Sequence, residues 1–422
     1  MNAATAGGPR ISPALILTAL VGGLAAGLLL AWAAPSQVES ITAWADPIGA
    51  LWLRALQMTI IPLVVSLLIT GIVTSVAAAR AGKLAGWSIA LFFAVLWAGT
   101  IMAAFVTPML LELFPIPAEA ARSLTASLGG AAPIGDIPPF TEFIKAMIPT
   151  NPVAAAANDA ILPLIIFSAI FGLAITRLEA GARDRLSGLF TALGDAMLVI
   201  IGWVLAIAPI GVAALAFVVA ARTGVGAIGV FIHYILIVSA VGCVVWFAAY
   251  PLAMFAGKLR LGAFARAVLP PQAVAISTQS SLASLPAMLG AAAALGVRET
   301  SADVTLPLAV ALFRSTGPAM NLAVAIYVAH LTGVELTPVT LAIGVAVAAT
   351  TTLGAVSLPG SISFISSCAP IAIAMGVPLE PLALLVAVET LPDIIRTVGN
   401  VTMDTATAAI ADRLGGVDHP PA

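Results

Sequence analysis

The chain has 422 residues, of which 61% are hydrophobic and only 9% charged. A soluble protein of this size carries roughly a quarter charged residues, so 17 Lys+Arg and 19 Asp+Glu are too few to clothe a water-facing surface and lipid is the expected solvent. A net charge of -2 without basic clusters excludes nucleic-acid binding, and 3 His with 2 Cys exclude a zinc or disulfide framework.

Taken in chain order, apolar segments long enough to cross a bilayer lie near 13–34, 48–77, 86–113, 160–176, 189–220 and 226–256. The first, with Arg10 before it and Ala31-Trp32-Ala33 at its end, has the outline of a signal peptide, but its length fits a span better. Cys243 and Cys368 sit in apolar runs and are expected to be free thiols. After residue 256 the pattern changes. Full spans fit at 303–331 and 378–411, whereas 263–292 and 337–373 are apolar but broken by Ser, Gly and Pro.

With a cytoplasmic N-terminus and only eight crossing segments, eleven of the 17 basic residues, from Arg10 to Arg413, fall in cytoplasmic loops. Arg122, Lys145 and Arg222 fall outside, and Arg54, Arg314 and Arg396 fall within spans. This positive-inside bias survives only if each broken segment enters and leaves on one side. Both carry Ser-Leu-Pro, as Ser284-Leu285-Pro286 and Ser357-Leu358-Pro359-Gly360, flanked by small hydroxylated residues. Mid-membrane backbone freed by such residues is tolerable only inside protein or along a wet cavity. The predicted fold is therefore all-α: eight transmembrane helices plus two re-entrant helical hairpins that form an inverted repeat. Ordinary kinked helices are the plainer alternative.

The last span reads Glu389-Thr-Leu-Pro-Asp393-Ile-Ile-Arg396-Thr397-Val-Gly-Asn400-Val-Thr-Met-Asp404. Asp393, Arg396, Asn400 and Asp404 share one helical face, with Glu389 close to it. Ionisable groups inside a span cost at least about 2.5–3.5 kcal/mol each near its centre, so they face protein or an aqueous path. Arg396 offers a planar fork that matches a carboxylate. Asp393, one turn away, suits an ammonium group, which favours amino acids over plain dicarboxylates. Asn400 can meet a carboxylate or a cation, and Asp404 is a hard oxygen ligand for a small cation. An internal Asp393–Arg396 pair is the bland reading of the same stripe.

These residues resemble the dicarboxylate/amino acid:cation symporter family, which includes the glutamate transporters and the archaeal aspartate transporter. The resemblance spans nearly the whole chain. Leu53-Arg54-Ala-Leu-Gln57-Met58-Thr-Ile-Ile-Pro62-Leu63, Ile148-Pro-Thr-Asn151-Pro152, Leu162-Pro-Leu-Ile-Ile-Phe167 and Ala208-Pro209-Ile210-Gly211-Val212 look like the family's second, fourth and fifth helix regions. Ser280-Ser281 stands for the serine-rich first tip, although Leu282 occupies a place where serine is usual. Gly354 to Gly360, with Ser357 and Pro359, resembles the glycine-rich second tip. The last span fits Asp-x-x-Arg-Thr-x-x-Asn-x-x-x-Asp with Asp393, Arg396, Thr397, Asn400 and Asp404. The resemblance implies that Arg396 binds a side-chain carboxylate, Asp393 an amino group, Asn400 an α-carboxylate and Asp404 sodium.

One motif departs. Where the family has Asn-Met-Asp-Gly-Thr, this chain has Leu312-Phe313-Arg314-Ser315-Thr316-Gly317-Pro318-Ala319-Met320-Asn321. Arg314 is expected to act as a tethered cation in place of one sodium ion, with coupling through fewer sodium ions or through protons, and Asp404 or Glu389 as proton carriers. By resemblance, residues 1–256 are mainly scaffold and trimerisation helices, 257–412 the transport core and 413–422 a short cytoplasmic tail. The function implied is a secondary active symporter of acidic amino acids or C4-dicarboxylates, with sodium and/or protons as coupling ions. It would work as a homotrimer in the inner membrane, with both termini cytoplasmic. The alternatives are a neutral amino acid or cystine-type symporter, or an anion channel of transporter ancestry. No His–Cys pair, HExxH or usable GxSxG supports an enzyme.

Overall fold

A computed structural model of the protein describes residues 13–80, 82–116, 148–158, 160–223, 226–352 and 360–415, which contain helices and no β-strand. The helices are α1 (Pro13–Ala33), α2 (Val38–Gln57), α3 (Ile60–Arg80), α4 (Lys83–Leu113), α5 (Pro152–Ala157), α6 (Ile161–Ile175), α7 (Ala180–Ala206), α8 (Ala208–Thr223) and α9 (Gly226–Phe255). They continue as α10 (Leu261–Thr278), α11 (Leu285–Ala294), α12 (Glu299–Leu312), α13 (Gly317–Thr332), α14 (Pro338–Thr351), α15 (Gly360–Ala374), α16 (Glu380–Leu385) and α17 (Thr390–Gly415). Five stretches among them, two with a break inside, are long and apolar enough to cross a membrane: Pro35–Ala79, Lys83–Leu113, Ala180–Ala206, Gly229–Phe255 and Glu299–Thr332.

Four of the segments expected to be single spans are broken, and the breaks have one cause. Proline lacks the N–H that would bond the carbonyl four residues earlier. Pro62 leaves the Met58 carbonyl unserved, and 48–77 is split between α2 and α3. Pro209 cannot bond the Leu205 carbonyl, which the Ile207 N–H meets instead, and 189–220 is split at Ile207 between α7 and α8. Pro318 opens the gap at 313–316 between α12 and α13, where Gly317 bonds the Arg314 carbonyl instead. Pro392 follows the turn at 386–389 between α16 and α17. Prolines 47, 108, 251, 307 and 370 lie inside helices that continue past them.

Close backbone approach fixes the N-terminal packing. A Cβ at Gly23 would collide with the Ala213 carbonyl of α8, and one at Gly27 with the Phe217 carbonyl. α1 and α8 therefore touch through a small-xxx-small seam. Trp52 of α2 occupies the space left by Gly211 and donates from Nε1 to the Val204 carbonyl at 3.0 Å. Gly27→Leu is expected to overpack this seam, costing about 1–3 kcal/mol or more. A thermal midpoint in detergent equal to wild type would show that the helices separate freely.

The C-terminal half is built around α17, which is buried on every side from Arg396 through Ala411. A helix buried all round lies at the centre of its bundle. α9, α10, α11, α12 and α4 pack on it, and α4 also packs on the almost wholly buried α13. Two of the six N-terminal spans thus join the later segment. Gln272 of α10 donates to Thr402 Oγ1 of α17 at 2.9 Å. At one end, Arg298 Nε pairs with Asp412 Oδ1 at 2.8 Å and Arg413 Nη1 donates to the Ala256 carbonyl at 2.9 Å. The end of α9, the start of α12 and the end of α17 therefore meet, so the chain leaves for α10–α11 and returns at the same end.

α10 and α11 pack on each other, as do α14 and α15. The turn between α10 and α11 begins with Gln279 in the left-handed region at φ 51 and ends where Ser284-Leu285-Pro286 starts α11. The second Ser-Leu-Pro ends immediately before α15. Its Ser357 and Pro359 lie outside the described residues, while Gly360 opens α15.

Candidate substrate and coupling site

α17 carries Glu389 just before its first turn and Asp393, Arg396, Asn400 and Asp404 along its length, all buried. The sequence expectation that they share one environment holds for the geometry, but their partners differ from those expected. Arg396 Nη1 donates to Asp393 Oδ1 at 2.9 Å. Nη2 lies 2.6 Å from Glu389 Oε1 and 3.4 Å from Asn321 Oδ1 of α13. Nη2 carries two hydrogens: it donates towards Asn321 and forms an ion pair with Glu389. Arg396 Nε is buried without a hydrogen-bond partner.

The internal pair weighed from sequence is thus present and has a second acid. Glu389 Oε2 accepts from the Tyr234 hydroxyl of α9 at 2.8 Å. Tyr234 is held edge-on against Tyr327 of α13, with ring centroids 5.3 Å apart. Asn321 Oδ1 also lies 3.6 Å from the Cys368 thiol of α15. Cys368 and Cys243 are both free, as expected.

One turn further on, the α12–α13 break is fastened to α17. Thr316 N donates to Asn400 Oδ1 at 3.0 Å, and Ser315 Oγ lies 3.3 Å from the same oxygen. Thr316 Oγ1 lies 2.8 Å from both Asn400 Oδ1 and the Arg396 carbonyl and has one proton to give. Gly399 permits this approach, since a Cβ there would collide with the Thr316 methyl. The Asn400 oxygen is therefore saturated with donors, and its NH2 is the end left to meet an acceptor. Thr397 Oγ1 stays within the helix, on the Asp393 carbonyl at 2.9 Å.

Asp404 is fully buried, and both its carboxylate oxygens lack a hydrogen-bond partner among the described residues. Arg314, partly buried in the α12–α13 break, acts electrostatically on Asp393, Asp404 and Arg396. Asp393 and Asp404 are thus the counter-charges near it. With all three carboxylates ionised, three acids against two guanidiniums would carry one negative charge in excess, which a bound cation, ammonium group or proton would offset.

Ser280 and Ser281 are not brought into bonding with this cluster. Ser280 Oγ accepts from Ala283 N at 3.2 Å and its carbonyl serves Ser284, so these serines shape the turn. Sequence reasoning missed Tyr234 and Asn321. The one available signal for Tyr234 was rarity: the chain has 3 tyrosines, and this one stands in an apolar helix.

The profile of the Sodium:dicarboxylate symporter family matches residues 13–414. The proton/glutamate-aspartate symporter of Escherichia coli (strain K12) is 27% identical over 399 residues, covering 92% of this chain and 89% of its own length. The neutral amino acid transporter B(0) of Homo sapiens is 27% identical over 441 residues, covering 94% and 79%. The C4-dicarboxylate transport protein of Leptothrix cholodnii is 25% identical over 377 residues, covering 88% and 83%.

Proposed function

Because the chain belongs to the Sodium:dicarboxylate symporter family, an integral membrane family of transporters, we propose that it is a secondary active symporter of acidic amino acids or C4-dicarboxylates. The observation that carries this reading is the buried acid–base cluster of α17, in which the Arg396 guanidinium keeps an unpartnered Nε. Arg396 takes the substrate's second carboxylate, through the unpartnered Nε and an adjacent Nη hydrogen. Asp393 takes an amino group, the Asn400 NH2 an α-carboxylate, and Asp404 a coupling cation, sodium or a proton. Ser280, Ser281, Ser357, Pro359, Gly360 and Thr397 join them as substrate-binding residues. Relatives named as glutamate-aspartate and C4-dicarboxylate transporters support this substrate class.

In this reading eight spans cross, α10–α11 and α14–α15 are re-entrant hairpins of an inverted repeat, and both termini are cytoplasmic. The shared end of α9, α12 and α17 supports the first hairpin. Residues 257–412 form the heart of the moving unit. We join α4 and α9 to it because they pack on α17 and α13. The remaining N-terminal helices are the scaffold through which three copies associate.

A second reading, a neutral amino acid symporter, draws on one observation: Arg396 already meets two carboxylates. Purified protein should be titrated with aspartate, glutamate, succinate and neutral amino acids at varied sodium and pH, and its uptake followed in proteoliposomes. Uphill accumulation of aspartate or succinate under an ion gradient is the expected result. Accumulation of neutral amino acids alone would establish the second reading, and passive flux alone an anion channel.

A further inference from the structure

The break between α12 and α13 is tied to α17 at one side chain. Thr316 N, Thr316 Oγ1 and Ser315 Oγ converge on Asn400 Oδ1 at 3.0, 2.8 and 3.3 Å, and both residues are fully buried. A backbone N–H can only donate, so the Asn400 carboxamide cannot turn its NH2 towards Thr316 without setting donor against donor. The amide is held with its oxygen on the break, and among the described residues its NH2 meets no acceptor.

Two departures from local preference accompany this contact. Thr316 is the N-cap of α13, where a threonine hydroxyl ordinarily accepts from the N–H groups of the first turn. It makes no such bond here, and lies 2.8 Å from the Arg396 carbonyl and from Asn400 Oδ1 instead. Gly399 stands inside α17, where glycine weakens a helix. A Cβ at Gly399 would collide with the Thr316 methyl and lie 3.3 Å from the Trp246 Cβ. Each helix thus gives up a local preference at the point where the other approaches.

An amide free to turn presents its oxygen to a carboxylate as readily as its NH2, and the oxygen repels. Holding one orientation in advance removes that competitor. Resting on the proposal that the Asn400 NH2 meets the substrate's α-carboxylate, we propose that Thr316, admitted by Gly399, is the positioning residue of that contact. Thr316 acts through Asn400 and touches no substrate. It sets how strongly the site prefers a ligand with an α-carboxylate to one without.

Aspartate and β-alanine are matched probes: both carry an ammonium group and a distal carboxylate, and β-alanine lacks the α-carboxylate. Affinities should be read on the purified full-length protein, with β-alanine in competition with aspartate. Gly399→Ala pushes Thr316 off Asn400 and is expected to weaken aspartate by about tenfold or more, with a far smaller change for β-alanine. Thr316→Ala, which loses the hydroxyl and keeps the N–H, is expected to weaken aspartate about three- to tenfold. Thr316→Ser in the Gly399→Ala background removes the colliding methyl, keeps both donors and is expected to restore most of the aspartate affinity. Trp246 stays equally close in both variants, so what the serine restores belongs to the methyl. Equal losses for the two probes, unchanged aspartate affinity in Gly399→Ala, or a loss that Thr316→Ser does not restore overturns the proposal. If β-alanine does not compete, the serine restoration decides alone. If Gly399→Ala does not fold, unchanged aspartate affinity in Thr316→Ala overturns it. Wild type that binds neither aspartate nor succinate sinks the functional reading beneath it, whereas aspartate binding indifferent to Thr316 and Gly399 sinks the positioning role alone.

Discussion

Arg396→Ala is expected to abolish recognition of a second carboxylate, weakening aspartate or succinate binding by about 2–5 kcal/mol if the pair is desolvated. In the α17 helix Arg396 is the only cation before Arg413, and Arg413 is committed to the far end, on the Ala256 carbonyl. The same change leaves Glu389 and Asp393 buried and facing each other without a cation. Removing one partner of a buried pair costs about 3–5 kcal/mol, so a fall in thermal stability should accompany the loss of binding. Arg396→Lys separates the two effects, since it restores charge but not the planar fork. Lysine should recover most of the stability and little of the affinity. Aspartate and succinate affinities unchanged in Arg396→Ala would remove Arg396 from the substrate site.

The second large effect concerns Arg314. Its guanidinium acts on Asp393 and on Asp404, whose oxygens have no hydrogen-bond donor among the described residues. Taking it away raises the excess negative charge of the site by one, and solution must then supply another cation. Wild-type binding should depend weakly on sodium or depend on pH instead. In Arg314→Met, the logarithmic slope of affinity against sodium should rise by about one, following ordinary linkage. Equal and steep slopes in both proteins would mean that Arg314 stands in for no ion.

The stripe of α17 was legible because a polar face inside an apolar span has few physical excuses: Asp393, Arg396, Asn400 and Asp404 do lie together and buried. Their bonding was not legible, because it depends on other helices. Nothing in the spacing of α17 reveals that Thr316 and Ser315 saturate the Asn400 oxygen, or that Tyr234, 155 positions earlier, anchors Glu389. Apolar windows found the membrane segments but merged α2 with α3 and α7 with α8. Proline could not repair this from sequence alone. Pro62 and Pro209 stand at helix breaks, but Pro108 and Pro251 lie inside helices that continue past them.

The break between α12 and α13 also has a history in the order of synthesis. The segment Glu299–Thr332 has the lowest hydropathy of the five candidate spans, and it carries Arg314 at its middle. α12 has 14 residues and α13 has 16, each short of the roughly 20 that cross a bilayer alone. They must therefore be inserted as one unit, leaning on α4 and α9, which are already made. Asp393 and Asp404 leave the ribosome last, some 80 residues or more after Arg314. Between those two moments the nascent chain holds an arginine at membrane depth without its acids, and the arrival of α17 closes that interval.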